Sequence, residues 1–109
     1  MLTDKRRMEQ VLENLIVNAK KNVRPDGILR LELAEDSGVL HFSIFNQGRL
    51  IPEHDLPKIW AKFYRDCNAG YSGSGLGLSI VAQIMQGLPY GAENLADGVR
   101  FTFSIPVTE

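Results

Sequence analysis

Asn14, Asn18 and Lys21 stand at spacings i, i+4 and i+7, which puts all three on one face of a helix. Asparagine is a poor helix-interior residue, up to about 0.7 kcal/mol less favourable than alanine. Two stacked on one face therefore point to a task. An amide oxygen is a neutral hard ligand for Mg2+, an ion that keeps water and substrate phosphates as its other ligands. A lysine one turn on meets a phosphate as a point charge. A solvated polar stripe is the other reading of the same residues. A second signal is Gly73-Ser74-Gly75-Leu76-Gly77, set just ahead of a helical run from Leu78. Glycines let backbone N–H groups turn inward around an anion, and a helix N-terminus adds partial positive charge. A Walker loop would need Gly-Lys-Ser/Thr, which is absent. The dinucleotide fingerprint would need a glycine where Leu78 stands and a strand where a polar loop precedes. A plain glycine-rich turn remains the alternative. The third signal is Asn46-Gln47-Gly48 followed by Ile51-Pro52. A hydrogen-bonding side chain beside a glycine that permits close approach suits a flat heterocycle. A strand ending in an Asn-x-Gly turn explains the same residues.

The elements that must position these residues can be read from periodicity. Asp4 is a candidate N-cap for a helix to about Asn22, with Met8, Val11, Leu12, Leu15, Ile16 and Ala19 at helical spacing. Pro25-Asp26-Gly27 is turn chemistry. Ile28–Ala34 alternates Leu29, Leu31 and Leu33 with Arg30 and Glu32. Val39–Phe45 alternates Leu40, Phe42 and Ile44 with His41 and Ser43. The short polar connection Glu35-Asp36-Ser37-Gly38 predicts an antiparallel hairpin. Each strand has one apolar and one mixed face, which suits a sheet covered by helices on one side. Pro52 to about Phe63 reads as a short helix with Leu56, Ile59, Trp60 and Phe63 inward. Leu78 to about Gln86 reads as a third helix. Tyr90–Leu95 and Val99–Val107 read as a closing pair of strands joined at Asp97-Gly98. The sum is α+β, a two-layer sandwich of three helices on one face of a mostly antiparallel mixed sheet.

The 109 residues suit one domain, 1–109, and no linker or internal repeat divides them. Hydrophobic residues at 44% and charged residues at 23% are ordinary for a globular chain. A net charge of −1 supplies no electrostatic footprint for nucleic acid or an anionic membrane, so neither is expected as a partner. The lone Cys67 makes neither an intramolecular disulfide nor a cysteine metal cluster, which fits a reducing compartment. No apolar run approaches the roughly 18 residues that cross a bilayer, and the N-terminus lacks a signal-peptide core.

Taken in order, the three signals resemble the catalytic ATP-binding domain of sensor histidine kinases, in the wider family that includes gyrase, MutL and heat-shock chaperone ATPases. "VLENLIVNAKKN" resembles the N box. "FNQG" with "IPEHDLPKIWAKFYR" resembles the first glycine box and the F box. "GSGLGLSIV" resembles the second glycine box, and "YGAENLADGVRFTFSIP" the closing strands of a kinase subgroup. The resemblance runs from about Asp4 to Pro106 and implies a Bergerat-type ATP-binding fold with ATP and Mg2+ as cofactors. It implies Asn18 as the Mg2+ ligand, with Asn14 one turn earlier shaping the phosphate site and Asn22 beside it. Lys21 and Arg65 would meet phosphates. Asn46 would face the adenine amine, with Gly48 and Ile51 close to the base. Phe63 would pack beneath the lid, and Tyr64 would be among the nucleotide-binding residues. Gly73, Gly75 and Gly77 would bound the lid and its phosphate-facing hinge, with Leu76 and Leu78 among the nucleotide-binding residues.

Three departures from the family pattern stand out. Asn46 replaces the usual aspartate and keeps an acceptor without its charge, a variation that goes with the "YGAEN…DGV" ending. Asn22 replaces the usual aromatic. The lid, Asp66 to Ser72, is short. The water-activating branches carry a glutamate where this chain has Asn14, which cannot act as a base, so the resemblance implies a kinase rather than an ATPase. It implies transfer of the γ-phosphate to a histidine on a separate dimerisation domain of the same parent kinase, with a response regulator downstream. No catalytic side chain is assigned within this chain. The start of the chain, close to the N box, reads as a piece of a longer, membrane-anchored kinase with this part cytoplasmic. A nucleotide-sensing or partner-docking module, and an anti-sigma-type serine kinase, are the alternatives. His54-Asp55-Leu56-Pro57 lacks the basic residue and the Thr/Asn of a phosphoacceptor motif. His41 and Trp60 read as structural, and Cys67 as incidental.

Overall fold

The computed structural model describes residues 5–61 and 77–106. Helix α1 (Lys5–Asn22) is followed by strands β1 (Leu29–Asp36) and β2 (Val39–Gln47) and a 3-10 helix (Glu53–Lys58). Helix α2 (Gly77–Ile84) and strands β3 (Tyr90–Asn94) and β4 (Gly98–Pro106) complete the order. The four strands lie in the order β1-β2-β4-β3, and every described pairing is antiparallel. This is the α+β sandwich expected from the periodicity.

Helix α1 buries Val11, Leu15 and Ala19, with Met8, Leu12 and Ile16 half-buried beside them. Lys20 and Lys21 fall in its last turn, where cations oppose the negative end of the helix dipole. The expected N-cap, Asp4, lies outside the described residues. The chain leaves α1 through Pro25-Asp26, where the Gly27 N–H donates to the Arg24 C=O at 2.8 Å and Asp26 takes φ 62°. Both strands of the first hairpin run further than their alternation suggested. Asp36 pairs with Val39, leaving only Ser37-Gly38 as the turn. These residues have φ 53° and 79°, and a type I′ turn needs both positive.

The core lies between the helices and one face of the sheet. Ile44 of β2 and Val99, Phe101, Phe103 and Ile105 of β4 meet Val11, Leu15, Val81 and Met85. Phe42 stacks on its register partner Phe103 with centroids 4.5 Å apart. Trp60 stands edge-on to Tyr90 and to Phe101 at 4.9 and 5.8 Å, the packing role expected of it. On the opposite face His41 Nδ1 lies 2.8 Å from the Ser104 hydroxyl.

Two local features differ from the periodicity. The segment expected as a helix from Pro52 is a 3-10 helix in its described part. Pro57 lacks an N–H, and in an α-helix its ring would meet the carbonyl four residues back. The tighter i→i+3 pattern, such as Asp55 N–H to Pro52 C=O at 2.8 Å, avoids that clash. Leu29, Leu31 and Leu33 share the helix-side face, yet every residue of β1 is exposed. Helix α1 packs on β2 and α2.

Gly98 opens β4 where backbones meet most tightly. An added Cβ would lie 2.7 Å from the Phe45 ring and closer still to the Asn46 C=O. Gly98→Ala is expected to lower unfolding free energy by about 1–3 kcal/mol in urea titration. Gly91→Ala, where a Cβ meets nothing within 4 Å, should leave stability unchanged or raise it by up to about 1 kcal/mol.

Candidate functional site

Asn14, Asn18 and Asn22 recur at helical spacing along α1. Asn18 is 7% exposed. The Asn22 amide donates to the Asn18 C=O at 2.7 Å and lies 3.4 Å from the Asn18 Oδ1. Asn14 carries a buried Nδ2 with no hydrogen-bond partner among the described residues. Lys21 is exposed at the C-terminal end of the same helix.

Asn46 sits where β2 ends, on the face that looks toward the helices. Its register row runs Leu29, Asn46, Val99, Asn94 across the four strands. It is 0% exposed, and among the described residues neither its Oδ1 nor its Nδ2 has a partner. A buried unpaired polar group costs about 1–3 kcal/mol. Asn46 and Asn18 are the buried polar residues among those described, and the Asn46 amide holds a donor and an acceptor that the described fold leaves unsatisfied.

Gly48 joins this strand end to α1. Its N–H donates to the Asp97 C=O at 2.9 Å, and an added Cβ would lie 2.7 Å from the Asn22 C=O. The glycine thus permits close approach to the end of α1 as well as whatever room it leaves a ligand. Ile51 follows, buried at the edge of the core. Leu78 of α2 packs half-buried against the same core, and Gly77 is the first residue of that helix. Phe63, Tyr64, Arg65, Gly73, Gly75 and Leu76 lie outside the described residues, as do Cys67 and the lid, Asp66 to Ser72.

Sequence reasoning missed Asn94. Its amide copies a strand pairing: Nδ2 donates to the Ile51 C=O at 2.6 Å and Oδ1 accepts the Ile51 N–H at 3.0 Å. Only an amide side chain offers both partners in this geometry. An asparagine at the end of a predicted strand was the available signal. Gln47, noted above only as part of a polar turn, binds three segments. Its Oε1 accepts the Ile28 N–H at 3.1 Å, its Nε2 donates to Asp97 Oδ2 at 2.9 Å, and its C=O accepts the Arg24 N–H.

For a metal, the donor set is narrow. No group of three or more His, Cys, Asp or Glu stands together among the described residues. The Asn18 amide oxygen fits a Mg2+ ion held by one protein ligand, with the rest from water and phosphate. No described helix is long and apolar enough to cross a membrane.

Residues 3–109 match the family described as histidine kinase-, DNA gyrase B-, and HSP90-like ATPase. The chain belongs to that family. It is 34% identical over 106 residues to the heme sensor protein HssS of Staphylococcus haemolyticus, covering 94% of this chain and 23% of that protein. The catalytic domain of histidine kinase ThkA superposes with TM-score 0.85 at 34% identity, over 98% of this chain and 71% of that one. ThkA in complex with the response regulator protein TrrA matches with TM-score 0.80 at 31% identity, over 96% of this chain and 30% of that one. The chain therefore corresponds to the catalytic ATP-binding domain of sensor histidine kinases. It spans about a quarter of the curated relatives it matches.

The unpaired amide and the amide clamp should separate in equilibrium unfolding without nucleotide. Asn46→Leu, similar in shape and without polar atoms, is expected to raise stability by about 1–3 kcal/mol. Asn94→Ala strands the Ile51 N–H and C=O and is expected to lower it by about 1–3 kcal/mol. A loss with Asn46→Leu would mean the amide is already satisfied.

Proposed function

We propose that this chain binds ATP with Mg2+ beside the N-box helix and donates the γ-phosphate to a histidine on a separate dimerisation domain of the same parent kinase. A response regulator would then receive the phosphoryl group. The observation that carries this reading is Asn46, a fully buried amide whose two polar atoms lack partners among the described residues, in a chain of the histidine-kinase ATPase family. Its Oδ1 accepts from the adenine amine, with Ile51 and Gly48 beside the base. Asn18 holds the metal, and Asn14 lies one turn earlier on the phosphate side. Lys21 and Arg65 meet phosphates. Phe63 packs beneath the lid, Gly73, Gly75 and Gly77 bound the lid and its hinge, and Tyr64, Leu76 and Leu78 join them around the nucleotide. When bound, Mg2+ neutralises charge on the phosphates, the largest need of phosphoryl transfer beyond positioning. Asn14 has no basic atom to activate water, which supports transfer to histidine over hydrolysis. The domain works on the cytoplasmic side of its parent.

Asn46 differs from a carboxylate in one testable respect. Adenine offers an amine where guanine offers a carbonyl, and a rotated amide can donate to that carbonyl. Asn46→Asp is therefore expected to sharpen the preference for ATP over GTP in competition titrations. Asn46→Leu should weaken ATP binding while leaving the fold intact, and unchanged affinity would remove Asn46 from the adenine.

Calorimetry with and without EDTA tests the metal. ATP affinity is expected to depend on Mg2+ in the wild type and to lose that dependence in Asn18→Ala. With labelled ATP, the chain alone should acquire no acid-labile label, because His41 and His54 lack the acceptor motif. Adding the separate histidine-bearing domain should produce label on that domain. No transfer at saturating ATP would favour a nucleotide-sensing role.

A further inference from the structure

Asn22 is the last residue of α1, and its side-chain Nδ2 meets Asn18 twice. It donates to the Asn18 C=O at 2.7 Å and to the Asn18 Oδ1 at 3.4 Å. The short bond anchors the Asn22 side chain. The long one sets an orientation. A half-turn of the Asn18 amide would exchange its Oδ1 and Nδ2 with little change of shape. With Nδ2 toward Asn22, two donors would face each other. With Oδ1 there, a donor meets an acceptor. At 7% exposure Asn18 has little water to relieve the wrong arrangement. An amide oxygen has two lone pairs, so the contact with Asn22 takes one and leaves the other for a cation. Mg2+ is a hard cation and takes the oxygen end of an amide.

Asn22 is itself held by its backbone. Its C=O stands against Gly48, where an added Cβ would lie 2.7 Å away. The N–H groups of Val23 and Arg24 donate to the C=O groups of Ala19 and Gln47, each at 2.9 Å. The last residue of a helix is ordinarily the first to fray. This one is fixed against the two residues that follow Asn46.

We propose that Asn22 is a positioning residue for the metal: its amide fixes the Asn18 side chain with Oδ1, rather than Nδ2, available to Mg2+. The proposal rests on the reading of Asn18 as the Mg2+ ligand. Asn22 acts through Asn18 alone and touches neither metal nor nucleotide. Its backbone is tied to the strand end that carries Asn46, so the metal end and the base end of the site share one connection. The competing role is a plain helix-end cap, in which only the bond to the Asn18 C=O matters.

Calorimetry of ATP binding, with Mg2+ and with EDTA, tests the role. The readout is the Mg2+ enhancement, the ratio of the two affinities, from which any change in metal-free binding cancels. Asn22→Leu is similar in shape and has no donor. It is expected to lower the enhancement on the order of tenfold, as loss of a metal ligand's own hydrogen-bond partner does. Asn22→Ser keeps one hydroxyl hydrogen, which a helical serine gives to the C=O four residues back. It should hold its stability in urea titration and still lose enhancement. In an Asn18→Ala background, Asn22→Leu should change the enhancement no further, because the residue it acts through is gone. An added loss in that background would overturn the proposal by showing that Asn22 meets metal or nucleotide itself. Full enhancement in Asn22→Leu would overturn it, and full enhancement in Asn22→Ser would reduce Asn22 to a cap. In each of these cases a loss in Asn18→Ala alone keeps the ligand reading. Full enhancement in Asn18→Ala would overturn the ligand reading and the proposal together.

Discussion

Gln47 is where the helix layer and the sheet are tied together. Its C=O accepts the Arg24 N–H at the exit of α1, and its N–H donates to the Ile28 C=O at the entry of β1. Its side chain accepts from the Ile28 N–H and donates to Asp97 in the β3–β4 turn. Next to it, the Gly48 N–H donates to the Asp97 C=O. Backbone and side-chain bonds to neighbours far apart in sequence are satisfied within two consecutive residues. The end of α1 and the end of β2 are held at a fixed distance as a result. Asn18 and Asn22 approach that junction from α1, and Asn46 and Ile51 flank it in sequence. The spacing of the site therefore depends on Gln47, which has no ligand contact in the proposed reading.

That rigidity explains how an unpaired amide persists in the core. A side chain in a loosely held strand end would rotate toward water or a neighbour. Asn46 is held by pairing on both sides, to Leu29 and to Val99, and its position in the row is fixed. A buried amide without partners opposes folding by about 1–3 kcal/mol. Apolar burial of Phe101, Phe103, Leu15 and Ile44 offsets it many times over. The fold thus carries a local penalty at the place where the proposed ligand would remove it, a pattern common at binding sites. Asn94 shows the opposite case, an amide whose two atoms are both used, and its work is to fix the Ile51 backbone.

Much of this was legible from residue order. The 3.6-residue period of α1 and the alternation of β2 and β4 named the buried residues, because each of those elements has one face against the core. Asn18 stood out as a poor helix former stacked on Asn14, and Asn46 as an amide beside a glycine at a strand end. Periodicity reports which residues share a face and nothing about what lies over it. Leu29, Leu31 and Leu33 have the same alternation as Phe101 and Phe103, yet they differ fully in burial. The difference is the position of β1 at the sheet edge, a property of strand order. Asn94 and Gln47 were missed because their partners are distant in sequence. Pro57 was visible, but its consequence for helix type depends on a carbonyl four residues back rather than on apolar spacing.

The uncovered column of leucines also bears on how the fold divides its surfaces. The described helices lie over β2, β4 and β3, with Ala92 of β3 packed against the core. Among the described residues the sheet is therefore wider than its helical cover by one strand. A solvated outer strand would normally alternate polar residues on both faces or carry charges that discourage pairing. The same alternation that normally directs apolar residues into a protein's own core has, at this edge, no helix of the described chain to meet.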